Sequence, residues 1–231
     1  MSTAVYPLET PVPLSHPNLG EFCTQLRSQQ EPFQVPLCER TMPIENCYWN
    51  VLAHVQQYGG AILFGWMLKH WPGLYLSAEH HAVWRRNDGE ILDVTERRPD
   101  CELPTTFVLD SNQHIDVSGA PNIPVEFFRL TGDRRVLELI DLSARSNSAA
   151  ASVNRFLVTE LRQSSDEQLA VARGETVNRI QITSEQRREY ECLLRKCSEI
   201  RLQIGDVIHS LVSRPPNRLS RIATKAYANQ R

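Results

Sequence analysis

Apolar residues recur over residues 44–58 at the spacing of a helix. Cys47, Val51, Val55 and Tyr58 follow one another by four, four and three positions, which places them on one helical face. Thr41 is the expected N-cap, Pro43 suits a first turn, and Gly59-Gly60 ends the helix. The period then changes. Residues 61–68 form a continuous apolar run, as a buried strand does, and Trp71-Pro72-Gly73 marks a turn. Residues 74–85 alternate. Leu76, Ala78, His80, Ala82 and Trp84 fall on one face, and Ser77, Glu79, His81, Val83 and Arg85 on the other. Asn87-Asp88-Gly89 is a strong hairpin signal, and residues 91–95 return as a third strand. Residues 41–95 thus predict a helix followed by an antiparallel meander, with weaker strand-like pieces over 105–109 and 125–130.

The flanks read differently. Residues 1–40 hold six prolines and little periodicity, which predicts an extended arm with a short helix over 19–28. From Arg134 onward the pattern is helical, over 134–146, 152–163, 165–173 and 184–212. Ser164-Ser165-Asp166-Glu167 and Thr183-Ser184-Glu185-Gln186 have capping-box spacing. Tyr190, Leu193, Leu194, Cys197, Ile200, Ile204, Ile208 and Leu211 form a long apolar stripe on the last helix, a candidate surface for a partner or for oligomerisation. Pro215-Pro216 stops that helix, and the tail beyond Val212 is basic, with Arg214, Arg218, Arg221, Lys225 and Arg231. The expected organisation is a Pro-rich arm (1–40), an α+β core (41–133) and a helical region with a basic tail (134–231).

Composition narrows the function. Charged residues make up 23% and apolar residues 41%, an ordinary globular balance, and the net charge of −2 gives no global electrostatic case for nucleic acid or an acidic membrane. The N-terminus shows neither a basic start nor an apolar h-region, and the most apolar stretch is far short of the roughly 20 residues of a membrane span. A cytoplasmic protein is expected, with a secreted effector as the alternative. Six cysteines at 23, 38, 47, 101, 192 and 197 form no C-x-x-C pair and suggest reduced thiols.

One cysteine has the surroundings that chemistry needs. Cys47 falls near a helix start, where the partial positive charge of unpaired N–H groups favours thiolate. His81 lies mid-strand, and pairing across the hairpin sets Asp93 opposite about residue 83, next to His81 on the same face. A nucleophile, a base and an orienting carboxylate are the parts of a thiol triad. His80 is the competing base, but alternation turns it to the other face. Asn46 or Asn50 are candidate oxyanion donors beside the Cys47 backbone N–H, and Glu79 and Trp66 are candidate pocket residues. His54, His70, His80, His81 and Cys47 are possible zinc ligands in kind, but their spacings match no common structural zinc pattern, and no metal or cofactor is expected. Tyr58-Gly59-Gly60-Ala61 is a helix stop and not a phosphate loop.

Cys47-Tyr48-Trp49-Asn50-Val51, His81-Ala82-Val83-Trp84 and Asp93-Val94-Thr95 together resemble the core of the transglutaminase-like, papain-related cysteine enzymes. The resemblance spans residues 41–95, with gaps of 34 residues from Cys47 to His81 and 12 from His81 to Asp93. Val94 stands where a proline is common after the aspartate, and the setting of Cys47 lacks the usual glycines and tryptophans. The resemblance implies Cys47 as nucleophile, His81 as base and Asp93 as orienter, in proteolysis, amide hydrolysis, deamidation or transglutamination of a protein or peptide amide. A non-catalytic binding module on the same scaffold, or an effector or toxin modifying a target protein, is the alternative.

Overall fold

The computed structural model describes residues 9–43, 46–96, 104–110, 115–117, 121–161, 165–175 and 182–216. Among these are eight strands and five helices, a mixed α/β arrangement built on one large sheet. The strands are β1 (Thr10–Pro11), β2 (Phe33–Val35), β3 (Leu37–Met42), β4 (Ala61–Trp71), β5 (Tyr75–Arg85), β6 (Ile91–Thr95), β7 (Thr105–Leu109) and β8 (Glu126–Arg129). The helices are α1 (Leu19–Gln25), α2 (Cys47–Tyr58), α3 (Arg134–Thr159), α4 (Ser165–Ala172) and α5 (Ser184–Ser213).

The centre is the long hairpin of β4 and β5, paired antiparallel from Ala61↔Arg85 to Trp71↔Tyr75. β6 follows through the Asn87-Asp88-Gly89 turn, with Gly89 at φ 93°, where a side chain would be strained. The register Trp84↔Leu92 and Arg85↔Ile91 is the one the hairpin signal predicts. The sheet is not a simple meander, however. Its order is β2-β7-β4-β5-β6-β3, and β3 runs parallel to β6. β2 and β3 are separated by Pro36 alone, so one stretch, residues 33–42, pairs with β7 at one edge and with β6 at the other. The sheet curls until its two edges meet on that stretch. Val35, Val83 and Phe107, with Phe33, Leu63, Ile91 and Leu109, fill the inside of the curl.

This closure changes two expectations. The segment read as an extended arm contributes β1, β2, β3 and α1, and Val12 and Phe22 are fully buried in a second core with Leu68 and Leu76. Among its described prolines, Pro11 sits in the two-residue strand β1, Pro17 in a turn and Pro36 between β2 and β3. Thr41 is not a helix cap. It lies in β3, because parallel pairing of Met42 with Thr95 holds this part of the chain extended. Residues 44 and 45, the expected start of the helix, lie outside the described residues, and α2 begins at Cys47.

α2 packs over the outer face of the sheet, with Tyr48, Trp49, Val51 and Ala53 against Ala82, Trp84 and Val94. It ends at Gly59 and Gly60, both at positive φ, where Trp84 Nε1 donates to the Gly59 carbonyl at 2.9 Å. At the other end, α3 and α5 dock on the tip of the β4–β5 hairpin through Val136, Leu139, Ile208 and Leu211 against Trp71, Leu74 and Tyr75. Much of the apolar stripe of α5 is therefore covered by the chain itself, while Leu194 and Leu202 remain exposed. α3 is one continuous helix where the sequence predicted a break after residue 146. Its polar residues are absorbed without breaking it, since Ser143 and Ser152 donate to carbonyls four residues back. Thr183 and Gln186 form the predicted capping box on α5. The other predicted box, at Ser164, and the basic tail beyond residue 216 lie outside the described residues. No described helix is long and apolar enough to cross a membrane.

Candidate active site

Cys47 is the first residue of α2, a free thiol, half-buried. Its backbone N–H is one of those at a helix start that have no partner within the helix. β5 carries β6 along residues 84–85 and β8 along residues 75–78 on the same edge. On that edge, among the described residues, no strand pairs with the stretch between them, 79–83, whose other edge is taken by β4. His81 lies in that gap, and the start of α2 comes to it there.

Asp93 is held more firmly than any other member of the site. Its backbone N–H donates to the Pro36 carbonyl at 2.9 Å. Its Oδ1 accepts from the Thr95 backbone N–H at 3.0 Å, the local bond that an Asp-x-Thr sequence favours, and its Oδ2 accepts from the Thr105 hydroxyl at 3.1 Å. Thr105 belongs to β7, three strands away in the sheet order, and reaches Asp93 because the sheet is closed. Asp93 is 1% exposed, and its Oδ1 lies 3.1 Å from His81 Nε2, an ion-pair distance with the ring turned off the ideal hydrogen-bond line. Nδ1 is left for the thiol, and the Cys47 side chain acts on the ring to favour its charged form.

Burial disfavours a charged imidazole at this depth. The Asp93 carboxylate opposes burial most, and the Cys47 side chain adds to it, so the His81 pKa is raised to about 10. His81 therefore carries its proton at neutral pH. His80, its neighbour, is in the reverse state. Burial drives its pKa down, Asp110 only partly restores it, and the charge of His81 lowers it again, to about 4. His80 faces away from Asp93, as alternation predicts, and its Nδ1 takes the Tyr48 hydroxyl at 2.8 Å.

The site opens on a cavity of about 700 Å³, lined by Cys47, Tyr48, His81 and Asp93 among others, with α3 contributing Ser143, Ser146, Asn147 and Asn154. Of the pocket residues read from the sequence, Glu79 lines this cavity, 2.7 Å from Lys69 Nζ, which also lies 3.8 Å from the largely buried Glu9. The other three do not line it. Trp66 is core, edge-on to His80 with ring centroids 5.0 Å apart. Asn50 is fully buried and donates to the Pro43 carbonyl at 2.7 Å and to Thr95 Oγ1 at 3.1 Å, so it ties α2 to β6. Asn46 occupies the N-cap position without a capping bond, and its amide nitrogen faces Asn50 Oδ1 at 3.4 Å and the Gln168 carbonyl at 3.5 Å. The residues considered for zinc are scattered: His54 packs on Tyr58 and Trp84, His70 on His16. No described group of three or more side chains is placed to hold a metal.

Sequence reasoning missed Tyr48, Thr105 and Asp110. Thr105 and Asp110 come from the two ends of β7, whose place in the sheet no local pattern reveals. Tyr48 follows Cys47 directly, but an aromatic residue on a helix reads first as core. No family model matches the chain, and no curated protein and no solved structure compared with it matches either.

Proposed function

We propose that the chain is a cysteine-dependent acyl-transfer enzyme acting on an amide of a protein or peptide, of the transglutaminase-like, papain-related kind. The observation that carries this reading is a free thiol at a helix start, beside a charged buried imidazole held by a fixed carboxylate, at the wall of a cavity. In the proposed sequence the Cys47 thiolate attacks the amide carbon, and the carbonyl oxygen takes the negative charge. The Cys47 backbone N–H is placed to donate to it. As the tetrahedral intermediate collapses, the C–N bond breaks, and His81 gives its proton to the departing nitrogen. Water or an amine then attacks the thioester, its proton passes to His81, and the thiolate leaves. Asp93 holds the ring and its positive charge throughout. Proteolysis, deamidation and transglutamination differ only in the amide that enters and the nucleophile that resolves the thioester.

The test is the reactivity of the thiol. At about pH 6, well below the roughly 8.5 of an ordinary cysteine, iodoacetamide is expected to modify Cys47 roughly tenfold or more faster than the other cysteines of the native protein, and His81→Ala to abolish that advantage. Peptide mapping by mass spectrometry reads both. A Cys47 that reacts at the pace of Cys38 or Cys197 leaves the binding-module alternative standing in its place.

A further inference from the structure

Tyr48, His80 and Asp110 are buried polar groups with no part in the acyl-transfer steps, yet they form a chain of their own. The Tyr48 hydroxyl lies 2.8 Å from His80 Nδ1, and His80 Nε2 lies 3.5 Å from Asp110 Oδ2, with those two side chains 1% and 4% exposed. A carboxylate beside Nε2 calls for the hydrogen on that nitrogen. Nδ1 is then the acceptor, and the Tyr48 hydroxyl donates to it. The ring is confined as well. Phe64 stacks on it at 28°, with centroids 6.4 Å apart, and Trp66 meets it edge-on. The charged or titratable groups around His80 are thus Tyr48 from α2, Asp110 after β7 and its neighbour His81.

This chain stands back to back with the first. Cys47 and Tyr48 are adjacent on α2, and His80 and His81 are adjacent on β5. Each histidine has its own aspartate. Because neighbouring strand residues point to opposite faces, the first turn of α2 grips β5 from both sides. It adds to the bonds by which Asn50 ties the same turn to Pro43 and Thr95, at a helix start where Asn46 makes no capping bond. Tyr48 is also within reach of the thiol electrostatically: burial raises its pKa first, and Cys47 raises it further.

We propose that the Tyr48–His80–Asp110 chain is a positioning device for the nucleophile, which fastens residue 48 to one face of β5 so that the sulfur one residue earlier stays on His81. The proposal rests on Cys47 being the reactive thiol. Tyr48→Phe removes one oxygen and keeps the ring that packs on Phe64 and Trp49. In the full-length protein, alkylation of Cys47 at about pH 6 is expected to fall about tenfold or more, as a displaced reacting atom does, with its pH profile moving toward that of an ordinary thiol. His80→Asn offers an amide oxygen near the place of Nδ1 and is expected to keep most of the rate, whereas His80→Leu loses it. A melting scan run beside the labelling separates this from a general loss of fold. Wild-type labelling of Cys47 in folded Tyr48→Phe overturns the proposal. Where that variant does not fold, equal rates in His80→Asn and His80→Leu overturn it. A slow Cys47 in the unaltered protein overturns the acyl-transfer reading itself, and this inference with it.

Discussion

Asp93→Asn is expected to slow the alkylation of Cys47 at neutral pH by at least about a hundredfold, less than the roughly ten-thousandfold that the same change costs turnover in a serine-protease triad. The amide oxygen can still accept from the Thr95 N–H, so the shape of the site is kept while its charge goes. Without the carboxylate, burial is opposed by the Cys47 side chain alone and pulls the His81 pKa down from about 10. The ring is then neutral at pH 7 and supports neither a thiolate nor a leaving group. Stability follows with a definite sign. A histidine whose folded pKa is raised above the roughly 6.5 of the unfolded chain stabilises the fold fully below that value, and this contribution is lost as pH rises through the folded pKa. The stability gap between the unaltered protein and Asp93→Asn should therefore be widest below about pH 6.5 and close toward pH 10. Asp93→Ala goes further. It strips Thr95 N and Thr105 Oγ1 of their acceptor and leaves a buried imidazole without its partner, at a cost of about 3 to 5 kcal/mol. Urea titration across pH, beside the labelling rates, reads all of these effects. A gap that widens at alkaline pH would contradict this account of His81.

Gly65→Ala is expected to destabilise the fold by about 3 kcal/mol, although it adds one methyl group. Gly65 sits mid-strand in β4, opposite His81 on β5 and Leu109 on β7. A Cβ there would lie 2.3 Å from the Val108 carbonyl oxygen and 2.6 Å and 2.8 Å from atoms of the Phe107 ring. The carbonyl is backbone in a paired strand, and Phe107 is fully buried inside the curl, so neither can give way cheaply. Any relief has to come from parting β4 and β7, which carries Thr105 away from Asp93. The variant should thus lose labelling of Cys47 as well as stability. Gly205→Ala is the matching control. Nothing lies within 4 Å of its added Cβ in the middle of α5, and it should stabilise by up to about 1 kcal/mol. If denaturant midpoints move alike in the two variants, crowding at residue 65 is not what the glycine relieves.

The parts of this fold that could be read in the sequence are those decided within about fifteen residues. The β4–β5 hairpin, the Asn87-Asp88-Gly89 turn and the register that sets Asp93 across from residue 83 all follow from alternation and turn chemistry. So does the facing of His81, and not His80, toward Asp93, because a one-residue step on a strand changes face. What escaped was settled by partners far along the chain. Thr41 and Met42 look like a helix entrance until β6 draws them into a strand. The helix α3 runs through Ser146 and Asn147 because Ala149 and Phe156 are buried further along it. The Thr105 hydroxyl and the Asp110 carboxylate enter the two histidine chains only once β7 has been laid beside β4, on the far side of the hairpin.

The stretch 33–42 also sets a timetable. It leaves the ribosome before its pairing partners, Asp93 and Phe107, which are more than fifty residues further on. Until both have emerged and folded, residues 33–42 have no strand to pair with, and until the seam closes the edges of β6 and β7 stay open, which invites pairing between molecules. Long-range closure of this kind is slow, and the latest contacts to form are those that bring Thr105 and Pro36 onto Asp93. The carboxylate thus gains its full set of bonds only when the edges seal, so a chain caught with an open seam is at once prone to aggregate and without the contacts that fix Asp93 beside His81.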